Sequence, residues 1–287
     1  MTQQNAQHLY TQGWDDYALL DAGNGKKLER WGKVITIRPE VQAYFKPAQT
    51  LAQWRSQAHW EFTETGSQVG EWFALQADAP REWQIHYQQW CFQLELTRFK
   101  HLGLFPEQRV NWDFIHTHLT AQGRFLNLFA YTGAASCIAR QTGAETVHVD
   151  AVKPLITWAN HNMHLSGLQD IKWVREDALK FAEREAKRSR LYDGIIMDPP
   201  AWGLGAKGEK WKLENKLPAL LAGANSILAR GGFLILNTYS PSIDLLTIKQ
   251  LAHQYFSGSQ CEVKELWMQT LAGKDLYYGN VLRVVKA

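Results

Sequence analysis

Hydrophobic and polar positions divide the chain into two stretches of different periodicity. Up to about residue 105, short runs alternate apolar and polar side chains, as is typical of half-buried β-strands. These runs lie at Tyr17–Asp21, Lys27–Trp31, Lys33–Pro39, Glu71–Gln76 and Cys91–Phe99. The Asn24-Gly25 pair between the first two runs predicts a β-hairpin turn. The pattern therefore predicts a mostly β accessory domain over residues 1–105.

From Asn111 onward, apolar strands alternate with amphipathic helices, which predicts βα units around a parallel sheet. The candidate strands are Arg124–Phe129, Thr146–Asp150, Ile171–Asp177, Tyr192–Asp198 and Gly232–Tyr239. Two last runs, Cys261–Gln269 and Tyr277–Lys286, predict a final antiparallel pair. We therefore expect an α/β domain over residues 106–287, and we expect it to hold the catalytic site.

Length and composition exclude several classes of protein. The chain has 287 residues, of which 45% are hydrophobic and 21% charged, as expected for about two globular domains and not for a disordered chain. No segment approaches the ~18 consecutive apolar residues of a membrane span. The polar first residues lack the apolar core of a secretory signal, so we expect a cytoplasmic protein.

Charge and cysteine usage narrow the candidate partners only slightly. A count of 31 Lys and Arg against 28 Asp and Glu gives a net charge of +3, too small to identify a nucleic-acid-binding protein by itself. The 13 tryptophans could stack on bases, but tryptophan more often fills cores and interfaces. Cys91, Cys137 and Cys261 are isolated, with no CxxC pair, so we expect neither a disulfide framework nor a metal site.

Three of the candidate strands end at aspartates: Asp150, Asp177 and Asp198. In an open parallel sheet, ligands bind outside the carboxyl ends of the strands, so these acids are candidate ligand-binding residues. An aspartate after a strand is also a common N-cap of the next helix, and that alternative stays open for each acid taken alone. Three such acids at successive strand ends favour a ligand site.

The residues around these acids indicate which ligand would fit. Gly133 allows a tight turn after the first strand, and the helix that follows offers N–H groups to a carboxylate. The loop lacks the GxGxxG pattern that accepts a pyrophosphate. Asp150 suits the two hydroxyls of a ribose, Asp177 suits an exocyclic adenine amine, and Asp198 lies where chemistry would occur. The pattern favours an adenosyl ligand without pyrophosphate.

These motifs resemble the class I S-adenosylmethionine-dependent methyltransferases. The likeness rests on NLFAYTGAAS, Asp150, Asp177, Asp198-Pro199-Pro200 and the terminal pair of strands. The phrases GLFPEQRVNW, NLFAYTG, WANHNMHLSGL with Asn162, and DPPAW are most similar to the bacterial ribosomal RNA large-subunit methyltransferase group and its uncharacterised relatives, over about Phe92–Ala287. The resemblance implies S-adenosylmethionine as cofactor and a Rossmann-like, seven-stranded, mostly parallel sheet with a C-terminal antiparallel hairpin.

The resemblance also assigns residues to the cofactor. It implies that the methionine part meets the backbone of the loop after the first strand, Asp150 binds the ribose, and Asp177 with Ala178 lies beside adenine. Asp198 and Gln108 are further candidates, although the segment around Gln108 could equally anchor the domain junction. The loop residues concerned are Phe129, Ala130, Tyr131, Thr132 and Gly133.

The Asp198-Pro199-Pro200 segment suggests how a methyl acceptor could be held. Asp198 and the carbonyls near Pro199 could accept hydrogen bonds from an amine, and Trp202 could stack on a flat base. The alternatives are a strand terminator for the prolines and core packing for Trp202. Amino-group methyltransferases of nucleic acids usually carry the aromatic directly after the second proline, whereas Ala201 intervenes here.

Another departure concerns the residue after the fifth strand. Cytosine-C5 members of the ribosomal group carry a catalytic cysteine there, and this chain has Tyr239 instead. Cys137 lies in the helix after the first strand and is poorly placed to substitute. These differences argue against cytosine-C5 methylation and leave a base nitrogen or another nucleophile.

Four hypotheses therefore remain from the sequence. The first is a methyltransferase that acts on RNA; the second keeps the cofactor but methylates a protein or a small molecule. The third is an NAD(P)-dependent oxidoreductase, and the fourth is a non-catalytic RNA-binding scaffold. Lysines around Trp211, between Lys207 and Lys216, would suit an RNA substrate, or they belong to a solvated helix start. We expect neither a metal nor a membrane as partner, and the sequence leaves the oligomeric state open.

Overall fold

A computed structural model describes residues 7–66, 69–204 and 210–287, which fold into two compact units. The N-terminal unit consists of Tyr10–Gln108 and Trp267–Tyr277. The C-terminal unit consists of Arg109–Leu266, Tyr278–Ala287 and the described residues before Tyr10. Each unit therefore takes chain from both ends of the sequence. The sequence-based division into residues 1–105 and 106–287, with one continuous stretch for each domain, stays a prediction.

The described residues up to about residue 100 are mostly β, as predicted. The elements are β1 (His8–Thr11), β2 (Tyr17–Gly23), β3 (Lys26–Trp31), β4 (Val34–Pro39), α1 (Leu51–Gln57), β5 (Trp60–Glu64), β6 (Gly70–Ala74), β7 (Glu82–Tyr87) and β8 (Trp90–Glu95). Five of these strands form a mixed sheet in the order β2-β3-β4-β5-β6, in which β4 and β5 are parallel and the other neighbours are antiparallel. Strand β7 pairs with β8.

The predicted Asn-Gly hairpin is confirmed by the pairing of β2 with β3, in which Tyr17 lies opposite Trp31. Asn24 has φ 52° and Gly25 has φ 76°. Two successive residues with positive φ are what a type I′ turn requires, and that turn matches the twist of the strands it joins. Local turn chemistry therefore sets this register.

A buried ionic cluster occupies the core of the N-terminal unit. Glu29 is fully buried, and its carboxylate accepts hydrogen bonds from Arg38 Nε at 2.6 Å and Arg38 Nη2 at 2.7 Å. Tyr17 donates a further bond at 2.9 Å, and Lys27 Nζ lies 3.5 Å away. Burial by itself would raise the pKa of Glu29, but Arg38 and Lys27 outweigh it and hold that pKa at about 2. The buried Glu29 carboxylate is therefore charged, and its low pKa depends mainly on Arg38.

The rest of the chain alternates strands and helices. A short 3₁₀ turn at Pro106–Gln108 precedes it. The elements are α2 (Arg109–His118), β9 (Arg124–Leu128), α3 (Ala134–Gln141), β10 (Glu145–Asp150), α4 (Lys153–Leu165), β11 (Ile171–Arg175), α5 (Ala178–Lys187), β12 (Tyr192–Met197), β13 (Trp202–Leu204), β14 (Lys210–Lys212), α6 (Leu213–Ile227), β15 (Leu228–Thr238), α7 (Leu245–Tyr255), β16 (Gln260–Gln269) and β17 (Asp275–Val285).

The main sheet is mixed, in the order β1-β16-β17-β15-β12-β9-β10-β11. Strands β15, β12, β9, β10 and β11 are parallel, and β17 is antiparallel to β15. The predicted α/β class with a mixed sheet is thus present, but the sheet has eight strands where seven were expected, because β1 adds a strand beside β16. The strands after β9 extend to one side as β10 and β11, and the chain then returns to the other side as β12. This reversal places the topological switch point at β9.

The central strands are covered on both faces, which explains their nearly continuous apolar sequences. Phe125, Leu126, Ile195 and Leu234 are fully buried. No helix in the described part of the chain is long and apolar enough to cross a bilayer.

Candidate functional site

The loop after β9 carries an unusual backbone. Phe129, Tyr131 and Gly133 all have positive φ values, of 57°, 52° and 84°. A Cβ atom on Gly133 would lie 2.8 Å from the Cβ atom of Ala159 in α4, closer than two carbon atoms can pack. Glycine is therefore required by the backbone conformation and by the space available.

Helix α3 begins directly at this loop without a side-chain cap. Gly133 is its N-cap residue and has no side chain to accept from the first turn. In α5 and α7, by contrast, Asp177 and Asp244 accept from backbone N–H groups of the first turn. The uncapped N–H groups and the helix dipole at α3 suit an incoming carboxylate.

Asp150, at the end of β10, is tied to the same loop. Its Oδ2 accepts from Tyr131 N at 3.0 Å, and its Oδ1 accepts from Val152 N at 2.8 Å. Burial raises the pKa of Asp150, while backbone hydrogen bonds from Val152, Tyr131 and Ala151 oppose that rise. A carboxylate has about four acceptor sites, so Asp150 can hold the loop and still accept from ligand hydroxyls.

Asn162 supports the loop from α4. It is fully buried, and its Nδ2 donates to the backbone oxygen of Thr132 at 2.9 Å. The sequence singled out Asn162 only as part of a motif and gave it no role. The structure shows that it helps to fix the loop backbone.

A buried polar network lies beneath the loop, between β9, α3 and β10. Asn127 Nδ2 donates to Ser136 Oγ at 2.9 Å, and Ser136 Oγ lies 3.1 Å from His148 Nδ1. Burial lowers the pKa of His148 to about 3, so the ring is neutral. The Ser136 hydroxyl accepts from Asn127 and is also hydrogen bonded to His148 Nδ1, so it links the strand β9 to the strand β10. The sequence analysis did not identify these residues. Polar residues inside two otherwise apolar strands were the signal that could have found them.

The acid after β11 has a visible structural role. Asp177 caps α5, since its Oδ1 accepts from Lys180 N at 3.1 Å. Ala178 begins that helix and is buried. The N-cap alternative for Asp177 is therefore present, and its second oxygen leaves room for a ligand contact.

Asp198, Pro199 and Pro200 follow β12 at the switch point. Asp198 is half-buried, Pro199 is buried and Pro200 is exposed. Trp211 Nε1 donates to Pro200 O at 2.6 Å, and its ring lies 5.4 Å from that of Phe129. We call Asp198-Pro199-Pro200 the rim, and the loop from Phe129 to Gly133 the glycine loop. Trp211, which the sequence placed only among lysines, thus joins the rim to the glycine loop.

Four further residues that the sequence singled out are a tryptophan, a lysine, a glutamine and a cysteine. Trp202 is 47% exposed on β13, and Lys207 lies outside the described residues. Gln108 is buried in the 3₁₀ turn of the N-terminal unit, and its role stays a prediction. Cys137 is fully buried in α3, where burial raises the pKa of its thiol to about 12.

A second hydrogen-bonded group that the sequence missed lies at the end of β15. Asn111 Nδ2 donates to Asn237 Oδ1 at 3.1 Å, and Arg283 Nη2 donates to Asn111 Oδ1 at 3.0 Å. Asn111 is fully buried in α2. In the described ranges, no group of three or more His, Cys, Asp or Glu residues is arranged to hold a metal ion.

A mixed sheet with a glycine loop and acids at the switch point defines an α/β enzyme that binds a nucleoside-like cofactor. Residues 40–253 match the model of the S-adenosylmethionine-dependent methyltransferase family. The chain belongs to this family and is a methyltransferase that uses S-adenosylmethionine. The uncapped α3, the glycine loop and Asp150 fit that cofactor, and the nicotinamide hypothesis is set aside.

A solved structure, the S-adenosylmethionine-dependent methyltransferase from Agrobacterium tumefaciens, is similar over nearly the whole chain. It has 34% sequence identity and a TM-score of 0.92, over 98% of this chain and 93% of that one. A methyltransferase complexed with SAH has a TM-score of 0.77 at 18% identity, over 94% of this chain and 75% of that one, which is a likeness of fold.

Curated relatives carry ribosomal names. Ribosomal RNA large subunit methyltransferase K/L of Hahella chejuensis is 35% identical over 147 residues, which is 50% of this chain and 20% of the relative. Ribosomal RNA large subunit methyltransferase K of Neisseria meningitidis is 32% identical over 168 residues, which is 56% of this chain and 47% of the relative. The chain thus spans less than half the length of these relatives.

Proposed function

We propose that this methyltransferase acts on RNA, with ribosomal RNA as the expected substrate and a base nitrogen as the methyl acceptor. The observation that carries the proposal is the position of Asp198-Pro199-Pro200, a hydrogen-bond-accepting rim directly after β12 and beside the glycine loop. The likeness to relatives named for ribosomal RNA supports the substrate class.

The cofactor is held by the carboxyl edge of the sheet. The loop from Phe129 to Gly133 and the N-terminus of α3 bind the methionine part, Asp150 binds the ribose, and Asp177 with Ala178 contacts adenine. Asp198 is a further contact, and the role of Gln108 stays a prediction from the sequence. When bound, S-adenosylmethionine supplies an electrophilic methyl group. The polar network of Asn127, Ser136 and His148 joins β9, α3 and β10 beneath this loop, because its members are buried and hydrogen bonded to one another.

The acceptor is oriented by the rim. Asp198 and the carbonyl of Pro199 accept N–H groups of the base, and this leaves a nitrogen lone pair directed at the methyl group. Pro199 is buried, has a fixed φ and donates no competing hydrogen bond. Trp211 fixes the Pro200 carbonyl by the 2.6 Å hydrogen bond, so the rim is rigid before the substrate arrives.

The thiols of the chain favour nitrogen over carbon as acceptor. Carbon 5 of cytosine needs a thiolate that adds to the ring. Cys137 is buried with its pKa raised to about 12, and the residue after β15 is Tyr239. Neither supplies a thiolate at neutral pH at the site.

The test incubates the protein and methyl-labelled S-adenosylmethionine with RNA, protein and metabolite fractions from a strain that lacks the protein. We expect label in RNA, and nucleoside analysis of the labelled RNA should place it on a base nitrogen. Label only in protein or in metabolites would overturn the RNA assignment, and cofactor binding without turnover would support the scaffold hypothesis.

Two variants test the assigned chemistry. Asp198→Asn should lower kcat by about 10²-fold, since an acceptor directed at the reacting amine is weakened. Asp170→Asn is the matched control, because the Asp170 side chain is 82% exposed and lies outside the proposed site. Cys137→Ala should retain activity. Full activity in Asp198→Asn, or its loss in Cys137→Ala despite normal folding, would contradict these roles.

A further inference from the structure

A short hairpin follows the proline rim, and its register assigns its side chains to two faces. Trp202 on β13 lies opposite Lys212 on β14, and Gly203 lies opposite Trp211. Residues directly opposite in an antiparallel pair share a face, and successive residues alternate. Trp202 and Lys212 therefore share one face, and Trp211 lies on the other. Residues 205–209, between the two strands, lie outside the described part of the chain.

The Trp211 face is attached to the proposed site. Trp211 is half-buried, packs 5.4 Å from Phe129 and donates to Pro200 O. Leu213 N donates to Ala201 O at 3.0 Å, which closes the base of the hairpin. These contacts fix the orientation of the hairpin relative to the acceptor rim.

The opposite face is exposed, aromatic and basic. Trp202 is 47% exposed, and Lys212 is exposed beside it. Lys210 precedes Lys212 by two residues, so it lies on the same face, and it is exposed as well. The charge of Lys212 acts on Glu214 of the adjoining helix, where it is one of the smaller causes that lower the pKa of that carboxyl, after its backbone and side-chain hydrogen bonds. Glu214, on the adjoining helix, accepts a hydrogen bond from Ser240 at 3.4 Å.

We propose that Trp202, Lys210 and Lys212, which we call the outer face, bind the single-stranded RNA segment that flanks the target nucleotide. This inference rests on the proposed function and specifies its substrate. An exposed indole stacks on any base, and lysines on the same face attract successive phosphates. The bases must be unpaired, because base pairs in a duplex already stack on one another. Trp202 follows Pro200 by two residues, so the RNA strand enters beside the rim.

Equilibrium binding of a fluorescein-labelled oligouridylate, followed by fluorescence anisotropy without methyl donor, tests the outer face. In Lys210→Gln/Lys212→Gln we expect the slope of log K against log salt to become shallower by about 1.4, from about 0.7 per lost phosphate contact. Trp202→Ala should weaken binding by roughly 5- to 160-fold with an unchanged slope, since stacking and not charge is lost. Trp202→Phe should retain most of the affinity.

The matched control is Lys187→Gln/Lys249→Gln, which removes two exposed lysines from α5 and α7 and should leave both affinity and slope unchanged. Oligouridylate annealed to oligoadenylate should bind more weakly than the single strand. Thermal melting and S-adenosylhomocysteine binding verify that each variant is folded.

Three results would overturn the inference: no binding by the unaltered protein, the same change in the control pair as in Lys210→Gln/Lys212→Gln, or a response to the lysines but none to Trp202→Ala. Because the assay needs no turnover, its failure is distinct from failure of the proposed function. If labelled methyl enters RNA while the outer-face variants bind the oligouridylate normally, only the role of the outer face is refuted. If the affinity and the salt slope of the variants change as expected but label enters protein alone, only the proposed RNA substrate is refuted.

Discussion

Replacing Gly133 by alanine tests whether the loop after β9 needs glycine for two separate reasons. Its φ of 84° lies in the left-handed region, where an L-residue costs roughly 1–2 kcal/mol. The new Cβ would also lie 2.8 Å from Ala159 Cβ, and relieving such overpacking costs roughly 1–3 kcal/mol. We therefore expect Gly133→Ala to lower the free energy of unfolding by about 2–5 kcal/mol.

Gly167→Ala is the matched control. Gly167 has φ 67° at the end of α4, and nothing lies within 4 Å of an added Cβ, so only the backbone cost of roughly 1–2 kcal/mol applies. A double variant, Gly133→Ala/Ala159→Gly, removes the opposing Cβ atom and should recover part of the loss. Glycine within α4 limits that recovery by about 1 kcal/mol.

Urea unfolding measures the stability of each variant, and titration calorimetry measures its affinity for S-adenosylmethionine. Gly133→Ala should weaken cofactor binding, because relief of the contact with Ala159 must move the loop backbone or α4. Gly167→Ala should not. Equal losses of stability in the two glycine variants, or unchanged cofactor affinity in Gly133→Ala, would refute the reasoning.

Three further predictions concern buried polar groups. Asn162→Ala removes the hydrogen bond to Thr132 O, so unfolding should become easier by about 1–3 kcal/mol and calorimetry should show weaker cofactor binding. His148 has its folded pKa lowered to about 3 from an ordinary value near 6.5, so the stability it contributes is complete above pH 6.5 and decreases as pH falls toward 3. Urea unfolding of His148→Asn at pH 7.5 and 5.0 should show a pH dependence smaller by about 2 kcal/mol than in the unaltered protein; an equal dependence would contradict the buried neutral ring. Arg38→Met removes the closest cation from the Glu29 carboxylate and leaves Lys27 at 3.5 Å, so it should cost about 3–5 kcal/mol in the same assay, whereas a loss below 1 kcal/mol would show that Glu29 protonates easily.

The features that the sequence predicted correctly depend on local chemistry. Asn24-Gly25 can form the left-handed turn that joins β2 to β3, and no distant residue is needed for that. The parallel strands were visible because both of their faces are buried, which makes their sequences almost uninterruptedly apolar. The acids at the ends of β10, β11 and β12 followed from the same logic of strand ends.

The elements that were missed have weaker local signals. Strand β7 has an exposed residue at every second position, and β13 and β14 have three residues each. Trp211 holds β14 by contacts with Phe129 and Pro200, residues that lie 82 and 11 positions earlier in the chain. The sequence could place two tryptophans near the rim, but only the register of the hairpin shows which one packs inward.

The long-range polar contacts could not be predicted from the sequence either, because their partners are distant from one another along the chain. Asn111 joins Asn237 and Arg283 across 126 and 172 positions of sequence. The Asn127–Ser136–His148 network likewise needs two neighbouring strands and a helix in their final places. Polar residues inside apolar strands signal such networks, although the pattern does not identify their partners.

The division of the chain between the two units constrains how the protein is made. The N-terminal unit includes Trp267–Tyr277, where Leu271 N donates to Leu19 O at 3.0 Å and Lys274 Nζ lies 5.3 Å from the Phe45 ring centre. About 160 residues must be translated after Gln108 before this segment exists, which at about 5–20 residues per second is a delay of roughly 10–30 s. On the ribosome, the N-terminal unit therefore cannot be complete until Arg109–Leu266 of the C-terminal unit has been synthesised.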